Sequence, residues 1–224
     1  MKWVLAIVVL GVALVAVGLS PIGHRAKLVV FGKHTIEQRL AEFGPDARTQ
    51  WQRELASYPP RAVTFYVVKD TRELHVMVDG STVRTIPITA ASGTAGPKLR
   101  RGDKQVPEGI YGIESLNPNS RFHLALRVDY PNAADVEQAK RDGRTDLGGD
   151  IMIHGGASSI GCIAVGDAAA TDLFVLAADV GLENITLLIV PTDVRDTLPQ
   201  DDRPWVVQRY ADVQAVLERD SIER

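Results

Sequence analysis

Residues 149–167 read GDIMIHGGASSIGCIAVGD, and this stretch places three different elements next to one another. Its first part, Ile151–His154, is a short apolar run that predicts a buried strand ending at a histidine. A loop rich in glycine and serine follows, and Cys162, the single cysteine of the chain, closes it. Asp167 is a favourable N-cap residue, so a helix is predicted over Asp167–Val180. The stretch therefore predicts a strand, a tight loop and a helix.

The spacing of His154 and Cys162 favours a thiol nucleophile paired with an imidazole base. The two residues are eight positions apart, and a loop of this length can bring their side chains within hydrogen-bond reach, as a cysteine nucleophile requires. Backbone N–H groups near Gly161 would form an oxyanion hole, and the carbonyl of Gly155 or Gly156 would orient the imidazole. A purely structural role is the alternative, because single cysteines and histidines are often satisfied core or surface residues.

The composition argues against several classes of protein. The 224 residues carry a net charge of −3 with a pI near 6.0, which argues against binding to nucleic acids. A single cysteine excludes an intrachain disulfide and a cysteine-rich zinc site. His123, His154 and Cys162 lack the spacing of zinc ligands. We therefore predict no metal and no cofactor, and the oligomeric state stays open.

Outward from residues 149–167, alternating β-branched and aromatic residues predict a set of short strands. Asp79-Gly80 is typical of a two-residue hairpin turn, and Pro87 indicates an edge strand or a bulge. The predicted strands are Val63–Val68, Glu73–Val78, Val83–Ile88, Gly109–Ser115, Arg121–Asp129, Ile151–His154 and Ile185–Val190, and the predicted helices are Ala133–Arg141, Asp167–Val180 and Trp205–Leu217. The expected fold class is a mainly β domain with helices, a sandwich or barrel-like sheet over residues 61–192.

The flanking segments have a different character. Residues 3–19, WVLAIVVLGVALVAVGL, carry no charge and are at the short limit for spanning a bilayer as a helix. They predict an uncleaved signal anchor, with a cleaved signal peptide (residues 1–19) as the alternative. Residues 20–60 are predicted to form a stalk and helical spacer, in which Gly44-Pro45 interrupts the helical periodicity. Residues 193–224 predict an amphipathic helical extension that packs on the domain.

Four elements, which follow the family's order along the chain, resemble the bacterial L,D-transpeptidases that act on peptidoglycan. The family's strand ending in His-Gly is similar to His154-Gly155, and its Ser-His-Gly-Cys motif is similar to residues 159–162. Its Gly-Asp-x-x-Thr-Pro-x-Gly-x-Tyr element resembles Gly102–Tyr111. Residues 117–124 and 130–132 resemble the murein L,D-transpeptidase subgroup, which includes members similar to the amidase that detaches lipoprotein from peptidoglycan. The resemblance covers about residues 58–192.

The resemblance implies an L,D-transpeptidase fold in which Cys162 attacks a peptidoglycan stem peptide and His154 is the base, with a thioester acyl-enzyme as intermediate. Gly155 is expected to orient the base and Gly161 to contribute to the oxyanion hole. We expect Ser159, His123 and Tyr130 to contact the substrate.

This chain departs from the family's pattern at two positions. Ile160 occupies the position of the histidine before Gly-Cys, and Ala164 that of the arginine after the cysteine. Transfer to an amine, hydrolysis, and a catalytically silent peptidoglycan-binding domain therefore stay open as functions. The substrate implies a catalytic domain in the periplasm, held at the inner membrane by the N-terminal segment, whereas a domain facing the cytoplasm is the alternative.

Overall fold

The computed structural model describes residues 33–56, 62–93 and 96–222. Residues 36–224 form one compact unit, and the description below concerns that unit alone. The predicted anchor over residues 3–19 lies outside the described residues, as do residues 20–32 and 57–60 of the predicted stalk. Within the described residues, the helices are all too short or too polar to cross a bilayer.

The described residues of the unit contain four helices and ten strands. The helices are α1 (Ile36–Glu54), α2 (Ala133–Arg141), α3 (Asp167–Val180) and α4 (Pro204–Ile222), and a short 3₁₀ turn covers Leu182–Asn184. The strands are β1 (Val63–Val68), β2 (Glu73–Val78), β3 (Ser81–Pro87), β4 (Ala90–Ala91), β5 (Gly109–Tyr111), β6 (Ile113–Ser120), β7 (His123–Val128), β8 (Met152–His154), β9 (Ile163–Ala164) and β10 (Ile185–Val190). The predicted mixture of strands and helices is confirmed, and α2 and α3 have the predicted bounds.

The strands form two five-stranded sheets. The first has the order β3-β2-β1-β10-β5 and the second the order β4-β9-β8-β7-β6. Asp79 and Gly80 join β2 to β3 with positive φ angles of 48° and 68°, as a two-residue hairpin turn requires. Pro87 ends β3, which is an edge strand of the first sheet, so the backbone N–H that proline lacks is not needed by a further neighbour.

The main hydrophobic core combines residues of both sheets with the apolar face of α3. Phe65 of the first sheet, Ile153 of the second and Phe174 of α3 are all completely or almost completely buried in it. A second core lies on the other face of the first sheet, where Tyr66 and Leu188 pack against Tyr210 of α4. Strand β1 is buried on both faces for this reason. The prediction that the C-terminal helix packs on the domain is confirmed.

Helix α1 differs from its prediction. It continues through Gly44-Pro45 up to Glu54, so the predicted interruption is wrong. A proline within a helix costs about 3 kcal/mol, because it removes one hydrogen bond and its ring collides with the preceding turn. Here tertiary contacts offset that cost: Trp51 is buried, and its indole N–H donates to the carbonyl of Asp172 on α3 at 2.8 Å. The helix therefore belongs to the same compact unit as the sheets.

Candidate active site

Strands β8 and β9 bring His154 and Cys162 to neighbouring positions. The strands are parallel, with Ile153 opposite Ile163 and His154 opposite Ala164. Cys162 directly precedes β9, so continuing this register by one residue places it beside Met152. Because side chains two residues apart along a strand point to the same face, this register leads us to expect the thiol and the imidazole on one face of this pair of strands. The parallel pairing brings the two segments together, and a hydrogen bond between Cys162 and His154 stays a prediction.

The imidazole of His154 is held at one nitrogen. Nδ1 lies 2.6 Å from the carbonyl oxygen of Gly155, and the side chain is buried. Since a carbonyl oxygen can only accept, Nδ1 carries the proton in this hydrogen bond, and Nε2 is the basic nitrogen of the neutral ring. The contact with Gly155 is the one that the sequence analysis expected.

The thiol of Cys162 is half-buried and in contact with the backbone before β8. Sγ lies 3.6 Å from the carbonyl oxygen of Asp150, to which the S–H group donates. Burial raises the pKa of the thiol, and a hydrogen bond from the Met152 backbone and the positive charge of Lys98 oppose this rise only in part. The resting thiol is therefore protonated near neutral pH, and forming a thiolate requires a base.

Two glycines at the site cannot carry a side chain. Gly161 has a φ of +106°, a conformation that other residues rarely adopt. At Gly155, an added Cβ would lie 2.5 Å from Oδ1 of Asp167 and 2.6 Å from the carbonyl oxygen of Phe122. Asp167 Oδ1 also accepts a hydrogen bond from the backbone N–H of Gly156 at 2.8 Å. The loop between the two reactive side chains is thus closely packed on the start of α3.

A strap formed by residues 96–108 packs against the loop that carries Cys162. A Cβ at Gly161 would lie 3.3 Å from the carbonyl oxygen of Gln105 in this strap. Within the strap, Asp103 pairs with Lys98 at 2.5 Å and accepts hydrogen bonds from three backbone N–H groups. Asp103 of the Gly102–Tyr111 motif therefore stabilises the conformation of the strap.

A buried ion pair ties both ends of the strap to the first sheet. Glu108 is completely buried; it pairs with Lys69 at 2.7 Å, accepts from the backbone N–H of Gly96 at 3.0 Å, and accepts from the hydroxyl of Tyr210 at 2.5 Å. Sequence reasoning missed this role of Glu108. Its one signal in the sequence is the position of an acidic residue between Pro107 and Gly109, which does not reveal a buried partner in the turn after β1.

A family comparison decides the identity of this arrangement. The family model described as "YkuD: L,D-transpeptidase catalytic domain" matches residues 62–188, more than half of the 224-residue chain. The chain belongs to the L,D-transpeptidase catalytic-domain family. The match includes both sheets' central strands, the strap, and the loop with His154 and Cys162.

Individual proteins show more limited similarity. The chain is 38% identical over 85 residues to the Escherichia coli (strain K12) protein named "Putative L,D-transpeptidase YafK", a match that covers 37% of this chain and 32% of that protein. The chain thus spans about a third of that relative's length. Among solved structures, the helical cell shape determining protein Pgp2 from Campylobacter jejuni has a TM-score of 0.45 at 20% identity, covering 71% of this chain and 70% of that chain. Mycobacterium tuberculosis L,D-transpeptidase 1 has a TM-score of 0.35 at 18% identity, covering 58% and 62%.

The three residues predicted to contact substrate all make contacts within the L,D-transpeptidase domain. Ser159 donates its hydroxyl proton to the carbonyl of Cys162 at 2.6 Å. The His123 ring lies 2.7 Å from the hydroxyl of Thr171 on α3. Tyr130 is buried, and its hydroxyl donates to the carbonyl of Leu147 at 3.3 Å. These contacts account for each side chain structurally, and a role in substrate binding stays a prediction.

The two residues that depart from the family's pattern, Ile160 and Ala164, differ in their exposure to solvent. Ile160 is 78% exposed, whereas Ala164 is completely buried within β9. Neither side chain supplies a charge or a hydrogen bond at the site. Across the described ranges, no group of three or more histidine, cysteine or acidic residues is arranged to hold a metal ion.

Proposed function

We propose that the protein is a cysteine-dependent acyl-transfer enzyme that acts on peptidoglycan stem peptides. The observation that supports the proposal is the parallel pairing of β8, which ends at His154, with β9, which Cys162 directly precedes, together with the hydrogen bond between the imidazole and Gly155. Membership of the L,D-transpeptidase catalytic-domain family supports the substrate class. The activity belongs in the cell envelope, where peptidoglycan is located.

The proposed first half-reaction forms a thioester. His154 Nε2 takes the thiol proton, and the Cys162 thiolate attacks the carbonyl carbon of the L,D-peptide bond at diaminopimelate. Backbone N–H groups at Gly161 and Cys162 stabilise the oxyanion of the tetrahedral intermediate. The C–N bond then breaks, the leaving amine receives the proton from His154, and the acyl group stays on sulfur.

The second half-reaction depends on the acceptor. An amine from another stem peptide gives a new cross-link, and water gives a shortened peptide or a released protein. In both cases His154 removes the acceptor's proton and returns it to the departing thiolate. Because Ile160 and Ala164 are uncharged, we expect carboxylates to bind more weakly near the site than in family members that carry histidine and arginine at these positions. Hydrolysis, including release of lipoprotein from peptidoglycan, is therefore the second candidate.

The test is a comparison of muropeptide products by mass spectrometry. Purified sacculi are incubated with the full-length wild-type chain, with Cys162→Ala and with His154→Gln, and Val136→Ala serves as the control because Val136 is an exposed residue of α2. We expect new products from the wild type and the control, none from Cys162→Ala, and a rate lowered at least about 100-fold by His154→Gln. New cross-links indicate an amine acceptor, and shortened peptides indicate water.

A silent binding domain predicts a different result. In that case all four proteins leave the muropeptide profile unchanged, while sedimentation with sacculi is the same for the wild type and Cys162→Ala. That combination would refute the enzymatic proposal.

A further inference from the structure

Phe122 covers one face of the His154 imidazole. The two rings are stacked, with centroids 4.7 Å apart and an interplanar angle of 26°. His154 is 3% exposed, whereas Phe122 is 40% exposed. The aromatic ring therefore separates the imidazole from solvent while leaving part of its own surface accessible at the site.

The backbone around Phe122 is held firmly. Arg121 and Phe122 form the turn between β6 and β7, and the backbone N–H of Phe122 donates to the hydroxyl of Ser120 at 3.1 Å. The Phe122 carbonyl packs directly on Gly155, where a Cβ would lie 2.6 Å from it. The turn that carries the stacking ring thus touches the same glycine whose carbonyl holds His154 Nδ1.

The following residue fixes the turn from the opposite side. His123 has a φ of +70°, and its ring is bound to the hydroxyl of Thr171 and packs edge-on against Phe43 at 5.1 Å. His123 therefore anchors the turn to α1 and α3. Because His123 is anchored in this way, the backbone from which the Phe122 ring extends is held in place.

Two contacts at right angles determine the orientation of the imidazole. The hydrogen bond to Gly155 fixes the direction of Nδ1, but by itself it does not stop the ring from tilting away, which would weaken the bond and the preference for the Nδ1–H tautomer. The stacked ring limits this tilt. An aromatic face also attracts the imidazolium that forms when His154 takes the thiol proton.

We propose that Phe122 is a positioning residue, which holds the His154 imidazole in the orientation and tautomer needed for proton transfer with Cys162. Its effect on turnover rests on the proposed function, whereas its effect on the imidazole does not. A leucine at this position preserves apolar volume but offers no flat surface, and a tryptophan preserves the flat surface. These two substitutions therefore separate stacking from simple burial.

The experiment combines side-chain NMR with kinetics on the full-length chain. Histidine labelled with nitrogen-15 reports the His154 tautomer, and the signals are assigned with His154→Gln. For the wild type and Phe122→Trp we expect the Nδ1–H tautomer, and for Phe122→Leu a mixture of tautomers. On a disaccharide tetrapeptide, Phe122→Leu should lower kcat about tenfold and leave KM within about twofold, while Phe122→Trp retains most of kcat. Val136→Ala controls for a general effect of an exposed apolar substitution.

Each outcome decides one question. An unchanged His154 tautomer in Phe122→Leu overturns the positioning role, and so does a rise in KM alone, which would make Phe122 a wall of the substrate groove. A mixed tautomer in Phe122→Leu together with an inactive wild type supports the positioning role and refutes the proposed function. Equal loss of kcat in Phe122→Leu and Phe122→Trp, with both proteins folded, also contradicts stacking as the cause.

Discussion

The buried ion pair between Lys69 and Glu108 leads to a quantitative prediction about stability. The exposed fractions of the two side chains are 8% and 0%. Removing one member of such a pair leaves a buried charge without its partner, which destabilises a protein by about 3–5 kcal/mol. For a domain of this size, about 2–4 °C of Tm corresponds to each kcal/mol, so we expect Lys69→Met or Glu108→Gln to lower Tm by about 6–20 °C.

The double variant tests whether the two losses share one cause. Lys69→Met with Glu108→Gln leaves no unpaired charge, so we expect its loss of unfolding free energy to be about 0.5–3 kcal/mol smaller than the sum of the single losses. Unfolding in urea, followed by circular dichroism, measures all three variants. Arg141→Gln is the matched control, because the Arg141–Glu137 pair on α2 is about two-thirds exposed at both side chains, and we expect no measurable change from it.

Two results would refute this reasoning. A loss below about 1 kcal/mol for both single variants would mean that the pair behaves like an exposed one. Strictly additive losses in the double variant would mean that each side chain acts through separate contacts. Either result would remove the ion pair as the element that ties the strap at Glu108 to the sheet.

Three further predictions concern the site and the pH dependence of stability. Gly155→Ala places a Cβ within about 2.6 Å of two oxygen atoms, so we expect the free energy of unfolding in urea to fall by about 1–3 kcal/mol. Turnover should also fall, because the carbonyl that holds His154 moves, and unchanged turnover would contradict the proposed role of this carbonyl. Burial raises the pKa of the Cys162 thiol. In a His154→Gln background, we therefore expect the rate of its alkylation by iodoacetamide to reach half its maximum at a higher pH than for free cysteine. A midpoint at or below that of free cysteine would refute the raised pKa. A hydrogen bond from Arg195 lowers the pKa of Asp193 from 3.8 to about 2. The ionised carboxylate therefore stabilises the fold above pH 3.8, and this effect is lost as the pH falls through about 2. We expect Asp193→Asn to make Tm less dependent on pH in that window.

Local patterns in the sequence were sufficient to predict much of the fold. Runs of β-branched and aromatic residues predicted most strands of both sheets, and Asp79-Gly80 predicted the β2–β3 hairpin, because backbone conformation in these segments follows from the residues themselves. The two-residue strands β4 and β9 were not predicted, and the predicted strand Gly109–Ser115 is divided between β5 of the first sheet and β6 of the second. The bounds of α2 and α3 were predictable for the same reason, since their apolar periodicity and N-terminal residues are local signals. The prediction failed at Pro45, where a local helix-breaking signal is outweighed by packing on α3.

His154 and Cys162 could be singled out as candidates from the sequence, since a histidine and a cysteine at the ends of one glycine-rich loop are a local feature. The residues around them could not. Phe122, Lys69 and Glu108 reach the site or its strap from segments far away along the chain, and their roles depend on contacts that no local pattern encodes.

Local sequence patterns are sufficient to predict most of the strands and helices and to select His154 and Cys162 as candidates, because these properties depend on neighbours along the chain. The groups that surround His154 and Cys162 follow from the packing of the folded chain. This packing stacks Phe122 on His154, and it buries Glu108 against Lys69 to fasten the strap beside Gly161. The physical reason is that orientation and charge burial depend on groups brought together through space, and these groups are set by how the two sheets and α3 pack.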